Sequence, residues 1–336
     1  MNNLISSFIE IKGLSDLHIQ SGANLSLRVN GEIIKQDVKI FNNDEILNFL
    51  NSNLNSEQQT FFEKNKNIDF ALEINNFRFR ANAYIGYNGC NIVLRKIETQ
   101  IPDINSLRMP AIVNQIINSE NGLILITGPT GSGKSTSLAS MINYINEHKS
   151  HNIITIEDPI EFIHKPNKSI ISQREIGAHA TSFAEALRSS LREDPDVILV
   201  GELRDLETTS LALTAAETGH LVFGTLHTSG APNTIHRIID MFPSEQQDQV
   251  RSQLASSLKL VMTQKLIKKL DGEGRVGAFE IMVCNTAIKN LIRENKIHQV
   301  PTVMQTGLKD GMITMEKSIE NLLNEGLINF TDVNQE

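Results

Sequence analysis

Residues 122–145, GLILITGPTGSGKSTSLASMINYI, decide the fold of this chain. A short apolar run leads into Gly128-Pro129-Thr130-Gly131-Ser132-Gly133-Lys134-Ser135-Thr136, whose first eight residues fit G-x-x-x-x-G-K-[ST]. Leu138, Met141, Ile142 and Ile145 then recur at i, i+3, i+4 and i+7. Strand, glycine loop and helix in immediate succession are the context that makes this motif specific. The glycines let successive amides turn inward around an anion, and the helix N-terminus adds its partial positive charge. Lys134 is expected to reach β- and γ-phosphates, and Ser135 to offer a hydroxyl to Mg2+.

Three more apolar runs follow: NIITIED at 152–158, DVILVGE at 196–202 and HLVFGTLH at 220–227. Such uninterrupted runs, alternating with helical periodicity, predict parallel strands covered on both faces, hence a doubly wound α/β domain. Ser182 and Glu185 read as a capping box opening a helix that runs through Arg192. An amphipathic stretch from Ser244 to Lys268 and the segment TMEKSIENLL read as a helical C-terminal part.

Ligands of open α/β sheets gather at the carboxyl ends of the strands, and acids stand there. DPDVILVGELRD, residues 194–205, ends its strand with Gly201 and Glu202, where a nucleotide hydrolase commonly has an Asp for magnesium before the Glu. Glu202 is the expected general base. Glu157 and Asp158, and Glu161 after a turn, are expected to hold Mg2+ through water and so take over the work of the missing Asp. His227, just past its strand, is placed to sense a γ-phosphate. His220, at the start of that strand, reads as a core histidine, and no third ligand has a spacing that would make a zinc site.

The first hundred residues are different. DLHIQ and LSLRVNGEI alternate polar and apolar residues, Asn30-Gly31 and Asn88-Gly89 read as hairpin turns, and NNFRFRANAY puts Phe77 and Phe79 on one face of a strand with Arg78 and Arg80 on the other. A small α+β domain at 1–104 and an α/β domain at 105–336 are expected, joined by the proline-bearing segment IPDINSLRMP. With 336 residues, 40% hydrophobic and 21% charged, the chain has material for two cores. It carries no apolar run of membrane-spanning length and no signal-peptide pattern, so a cytoplasmic location is expected. Cys90 and Cys284 offer neither a disulfide framework nor a zinc knuckle. A net charge of -8 argues against a general nucleic-acid binder.

Taken in order, GPTGSGKST, TIEDPIEF, LREDPDVILVGELRD and TGHLVFGTLHTSGAP resemble the Walker A motif, Asp box, Walker B motif and His box of the ATPases of type IV pili and of type II and type IV secretion. In that family Gly likewise precedes the catalytic Glu. The resemblance implies a PAS-like N-terminal domain, a RecA-like ATPase domain, a homohexameric ring, and ATP with Mg2+ bound in a cleft between the two domains. It also implies arginines supplied to the phosphates by the N-terminal domain. Arg80 and Arg95 match, with Arg78 a weaker candidate. Within the family the chain most resembles the pilus retraction ATPases. GLSDLHIQSG stands near its start, at residues 13–22, with no extra N-terminal domain expected; it lacks the zinc-binding tetracysteine of assembly motors, and carries TAIKNLIRE, similar to the retraction segment AIRNLIRE. Lys289 stands at the family's Arg position, keeping the charge and losing the bidentate fork.

That resemblance implies action on an inner-membrane pilus platform protein, peripheral attachment to the membrane through partners, and a paralogous pilus ATPase as a further partner. The same residues leave open an extension or competence-pseudopilus motor and a nucleotide-gated adaptor. A nucleic-acid translocase has the least support.

Overall fold

The computed structural model describes residues 1–333 apart from 30, 76, 98, 99 and 273. The chain divides into two compact units, Met1–Gln100 and Ile101–Glu336. The division falls at the head of IPDINSLRMP, four residues before the expected boundary. Residues 101–104 belong with the second unit because Ile104 is buried in its core and the Pro102 carbonyl accepts a hydrogen bond from Ser140 Oγ at 2.7 Å.

The first unit holds a six-stranded antiparallel sheet built from β1 (Leu14–Gln20), β2 (Ser26–Val29), β3 (Glu32–Lys35), β4 (Asn67–Ile74), β5 (Phe77–Gly86) and β6 (Gly89–Lys96), in the order β3-β2-β1-β6-β5-β4. Alternation along each strand sends Leu17, Leu27, Leu94, Ala81 and Phe70 to one face, where they form the core with the helices Asn43–Asn53 and Ser56–Asn65. The opposite face is polar. The β5–β6 turn is centred on Tyr87 and Asn88, one residue earlier than expected, because Gly86 pairs with Gly89 and Gly89 already belongs to β6. β2 and β3 pair antiparallel, while the turn expected at Asn30-Gly31 includes Asn30, which lies outside the described residues.

The second unit carries a seven-stranded sheet of β7 (Gly122–Thr127), β8 (Asn152–Glu157), β9 (Ile170–Glu175), β10 (Val197–Val200), β11 (Leu221–Leu226), β12 (Leu258–Lys268) and β13 (Arg275–Val283). Its order is β13-β12-β7-β11-β10-β8-β9, with every neighbouring pair parallel except β12–β13. Side chains of β7 alternate between two cores. Leu123 and Leu125 pack with helices on one face, and Ile124 and Ile126 with Leu138, Met141, Ile142 and Ile145 on the other. Covering on both faces is why the strands are apolar throughout.

Two expectations need correction. The stretch Ser244–Lys268 is not one helix: a 3-10 turn at Ser244–Gln246 and the helix Gln247–Ser257 end where Leu258 turns extended, and β12 follows. Pairing with β7 on one side and β13 on the other overrides a periodicity that fits a helix, so the sheet is mixed and the C-terminal part is not purely helical. The Ser182 capping box is half made. Ser182 Oγ accepts from the Glu185 amide at 3.2 Å, but the Glu185 carboxylate takes the Thr181 hydroxyl, and the helix is Phe183–Ser190, short of Arg192.

Candidate active site

β7 delivers the chain into the glycine loop. A side chain at Gly128 would collide with the Gln264 carbonyl and one at Gly133 would come within 2.8 Å of Gln264 Nε2, so β12 presses the loop from behind. Gln264 is itself buried and accepts from Ser137 Oγ at 2.7 Å. The helix Lys134–His148 starts after Gly133 with no side-chain cap, leaving its first amides to an anion. Lys134 is buried, and its ammonium donates to the Gly128 and Pro129 carbonyls at 2.8 and 2.9 Å. Burial lowers its pKa, opposed by the nearby charges of Glu202 and Glu161. Ser132 Oγ is buried without a hydrogen-bond partner among the described residues. An uncapped helix start, an orphan hydroxyl and a lysine resting on its own loop fit a polyphosphate.

Glu202 lies just beyond β10, largely shielded from solvent. Arg204 Nε is paired with one of its carboxylate oxygens at 2.7 Å, and His227 Nε2 stands 3.5 Å from the other. No motif in the sequence singles out Arg204; its place two residues after Glu202 is the one signal. Asp205 of the same motif is structural: it caps the helix Leu206–Glu217 through the Thr208 amide at 2.8 Å.

The absent Asp has a steric explanation. A Cβ at Gly201 would stand 3.2 Å from the Ile156 carbonyl oxygen and 3.3 Å from Glu157 Cα, because the Gly201 amide is already bonded to that carbonyl at 2.8 Å. Position 201 is filled by the end of β8, and the acid beside it belongs to Glu157. Thr155 Oγ1 donates to the Glu157 carboxylate at 2.6 Å and Gln173 Nε2 at 3.3 Å. Burial pushes the Glu157 pKa up, these donors pull against it, and the charge of Glu161 raises it further. Asp158 and Glu161 are exposed. Among the described residues no three acidic, His or Cys side chains converge on one point as a direct metal cage. The donors present, the Ser135 hydroxyl and carboxylates, are the hard oxygen ligands that suit Mg2+ in a mainly water- and phosphate-filled shell.

His220 is not at this edge. Its Nδ1 lies 3.0 Å from the Ala215 carbonyl at the far end of β11. In the first unit, Arg80 and Arg95 are directly opposite on β5 and β6, and the row continues through Asp16 on β1 to Arg28 on β2. The buried Asp16 accepts from Arg95 Nε at 2.8 Å, with Arg28 Nε at 3.9 Å. Arg80 is exposed and has no ion pair among the described residues of its unit. Asp16 already offsets the charge of Arg95, which leaves Arg80 as the guanidinium of this row that an added anion would stabilise most. Arg78 lies on the same face, opposite Glu73 on β4. The TAIKNLIRE segment forms the helix Thr286–Arg293, capped by Asn285, with Ile288 and Ile292 buried and Lys289 half-buried. Cys90 and Cys284 are both free and buried, and among the described residues no helix is long and apolar enough to cross a membrane.

A glycine loop at the carboxyl edge of the parallel strands β7, β11 and β10, with a shielded carboxylate two strands away, defines a P-loop ATPase. The model of the Type II/IV secretion system protein family matches residues 1–273, and the chain belongs to that family. It is 51% identical over 303 residues to a "Twitching motility protein" of Neisseria gonorrhoeae, covering 90% of this chain and 81% of the relative. It is 46% identical over 323 residues to the "Type IV pilus retractation ATPase PilT" of Pseudomonas aeruginosa, covering 96% and 94%. Among solved structures, the pilus retraction motor PilT with bound ADP superposes with a TM-score of 0.92 at 46% identity, over 100% of this chain and 96% of that one.

Proposed function

We propose that this chain is an ATP-hydrolysing motor that drives type IV pilus retraction. The observation that carries the reading is Glu202 clamped by Arg204 and His227 at the sheet edge that also carries the Lys134 loop. The identity to proteins named for twitching and retraction supports the biological direction.

In this reading, the amides of Gly131 to Ser135 and the Lys134 ammonium hold the ATP phosphates, and Thr136 continues the loop into the helix. Glu202 orients the attacking water and takes its proton, a role for which the Arg204 ion pair and the nearby His227 position its carboxylate. His227 also faces the γ-phosphate. Mg2+, held by the Ser135 hydroxyl and through water by Glu157, Asp158 and Glu161, would neutralise charge on the β- and γ-phosphates. Arg80 and Arg95 are assigned to the phosphates as well, arriving when the first unit, read as a PAS-like domain, closes on the second, read as RecA-like. The strand order of the first unit and the exposed Arg80, without an ion pair among the described residues and directly opposite Arg95, support that assignment.

Six copies in a closed ring, acting in the cytoplasm on an inner-membrane platform protein, would turn staggered closures into work. A paralogous pilus ATPase is a further candidate partner, and no nucleic acid is part of the cycle. The test is ATP turnover of the purified chain across protein concentration, with oligomeric mass read on the same samples. Turnover that rises with a six-subunit species and disappears in Glu202→Gln supports the motor. A ring that binds ATP and releases no phosphate overturns it.

A further inference from the structure

One partly buried acid in the second unit has no part in the chemistry above. Glu280 lies on β13, in a row of directly paired residues that runs Leu226, Thr127, Thr263, Glu280 across β11, β7, β12 and β13. Thr127 and Thr263 share a buried hydrogen bond at 2.9 Å, and Thr263 Oγ1 is 3.4 Å from Glu280 Oε1. A carboxylate only accepts, so Thr263 donates to Glu280 and takes its own hydrogen bond from Thr127. The same Oε1 accepts the Ala231 amide at 2.8 Å.

Both ends of this chain touch the ATPase site. Thr127 is the residue immediately before Gly128. Ala231 opens the helix Ala231–Asp240, which has no cap of its own because Gly230 precedes it. Glu280 supplies the missing cap from a distant strand, where the helix dipole favours its charge. The helix is tied back to the His227 loop, since Thr228 and Thr234 hydroxyls are 2.7 Å apart. Hydrogen bonds from Thr127 through Thr263 and Glu280 to the Ala231 amide, the Gly230–Ala231 peptide, and the Thr234 hydroxyl bonded to the Gly230 carbonyl at 2.9 Å together join the root of the phosphate loop to the residue next to His227. Burial pushes the Glu280 pKa up, and the Ala231 and Met315 amides and Thr263 oppose it. Gly230 stands at φ +86°, where Ser, Thr or Asn would be strained, so the cap cannot come from that position and is brought instead from β13, at the desolvation cost of an acid.

We propose that Glu280 is a positioning residue that sets the His227 loop against the phosphate loop, so that nucleotide at Lys134 orders the groups that hold Glu202. The inference rests on the reading of residues 128–136 as the nucleotide site.

Two variants of the full chain test it. Glu280→Gln keeps an oxygen for the Ala231 amide and removes the charge, while Thr263→Val cuts the link to Thr127 and leaves the Glu280 cap in place. Hydrogen exchange is followed with and without ADP, alongside ATP turnover. ADP is expected to slow exchange at 128–136 in all three proteins, and at 227–234 in the wild type only. Each variant is expected to lose about tenfold in kcat with KM within about twofold, and the double variant to be no worse than the weaker single, as for residues acting as one unit. Protection at 227–234 that persists in both variants overturns the proposal, as does kcat falling together with protection at 128–136, which would be plain destabilisation. A wild type that hydrolyses nothing yet shows the exchange pattern sinks the motor reading and leaves the coupling in place.

Discussion

The two sides of the phosphate loop contrast sharply. Its own strand and helix, β7 and Lys134–His148, are specified by local pattern: an apolar run, a glycine loop and an i, i+3, i+4, i+7 stripe that all agree. Of its supports, β12 comes from a stretch whose local pattern points to a helix, and β13 from a segment that no motif marks. Yet β12 supplies Gln264 behind Gly128 and Gly133, and the β12–β13 pair supplies Thr263 and Glu280. The contrast separates what performs chemistry, which is written in consecutive residues, from what holds it in place, which is assembled from afar.

The largest effect should come from the legible side. Glu202→Gln is expected to lower kcat by about 10²–10⁴-fold, the usual worth of a positioned base, while affinity for ADP stays within about twofold. Loss of ADP binding in calorimetry would mean that Glu202 shapes the pocket and is not the base. Next in size is Gly201→Asp, which restores the acid that this Walker B strand lacks. Because Ile156 and Glu157 fill the space, overpacking and a buried charge should cost about 3 kcal/mol in urea unfolding and reduce turnover. A stable, faster enzyme would show that position 201 is free and that Glu157 has not taken its place.

The misread side gives a third prediction. Gln264→Ala leaves the buried Ser137 hydroxyl without its acceptor and should cost about 2 kcal/mol, with a raised KM for ATP. If stability and KM are both unchanged, the loop is held by β7 alone and the contrast drawn above fails. The smallest effect concerns His164, buried on the segment after the acidic turn, whose pKa burial lowers to about 4. Its imidazole stays neutral in the fold while the unfolded chain protonates near 6.5. Stability is therefore complete above that value and declines as pH falls toward 4, by on the order of 1 kcal/mol between pH 7 and 5.5. His164→Leu should flatten that part of the curve, and an unaltered slope would assign it to other groups.

Four strands of the ATPase sheet, the glycine loop and the placement of Glu202 and His227 were legible because a strand buried on both faces is apolar throughout and its ligands collect just beyond its end. The Arg80–Arg95 pairing was half legible: alternation places Arg80 on a face, but only register sets Arg95 opposite. β12 was not legible, since Leu258, Val261, Met262, Leu266 and Ile267 satisfy either period and no glycine or proline separates them from the preceding helix.

By itself, the sequence determined the class of fold, the phosphate loop, the acid at the end of β10 and the absence of a second acid there, because each depends on neighbours within a few residues. Only the tertiary structure decided that 258–268 is a strand, that a side chain at Gly201 would press on the end of β8, that Arg204 and His227 both approach Glu202, and that Glu280 caps a helix beginning 49 residues upstream, a reach across a sheet and not of local pattern. Those outcomes depend on which distant backbone comes to lie alongside, and pairing across a sheet leaves no periodic trace in the segment that receives it.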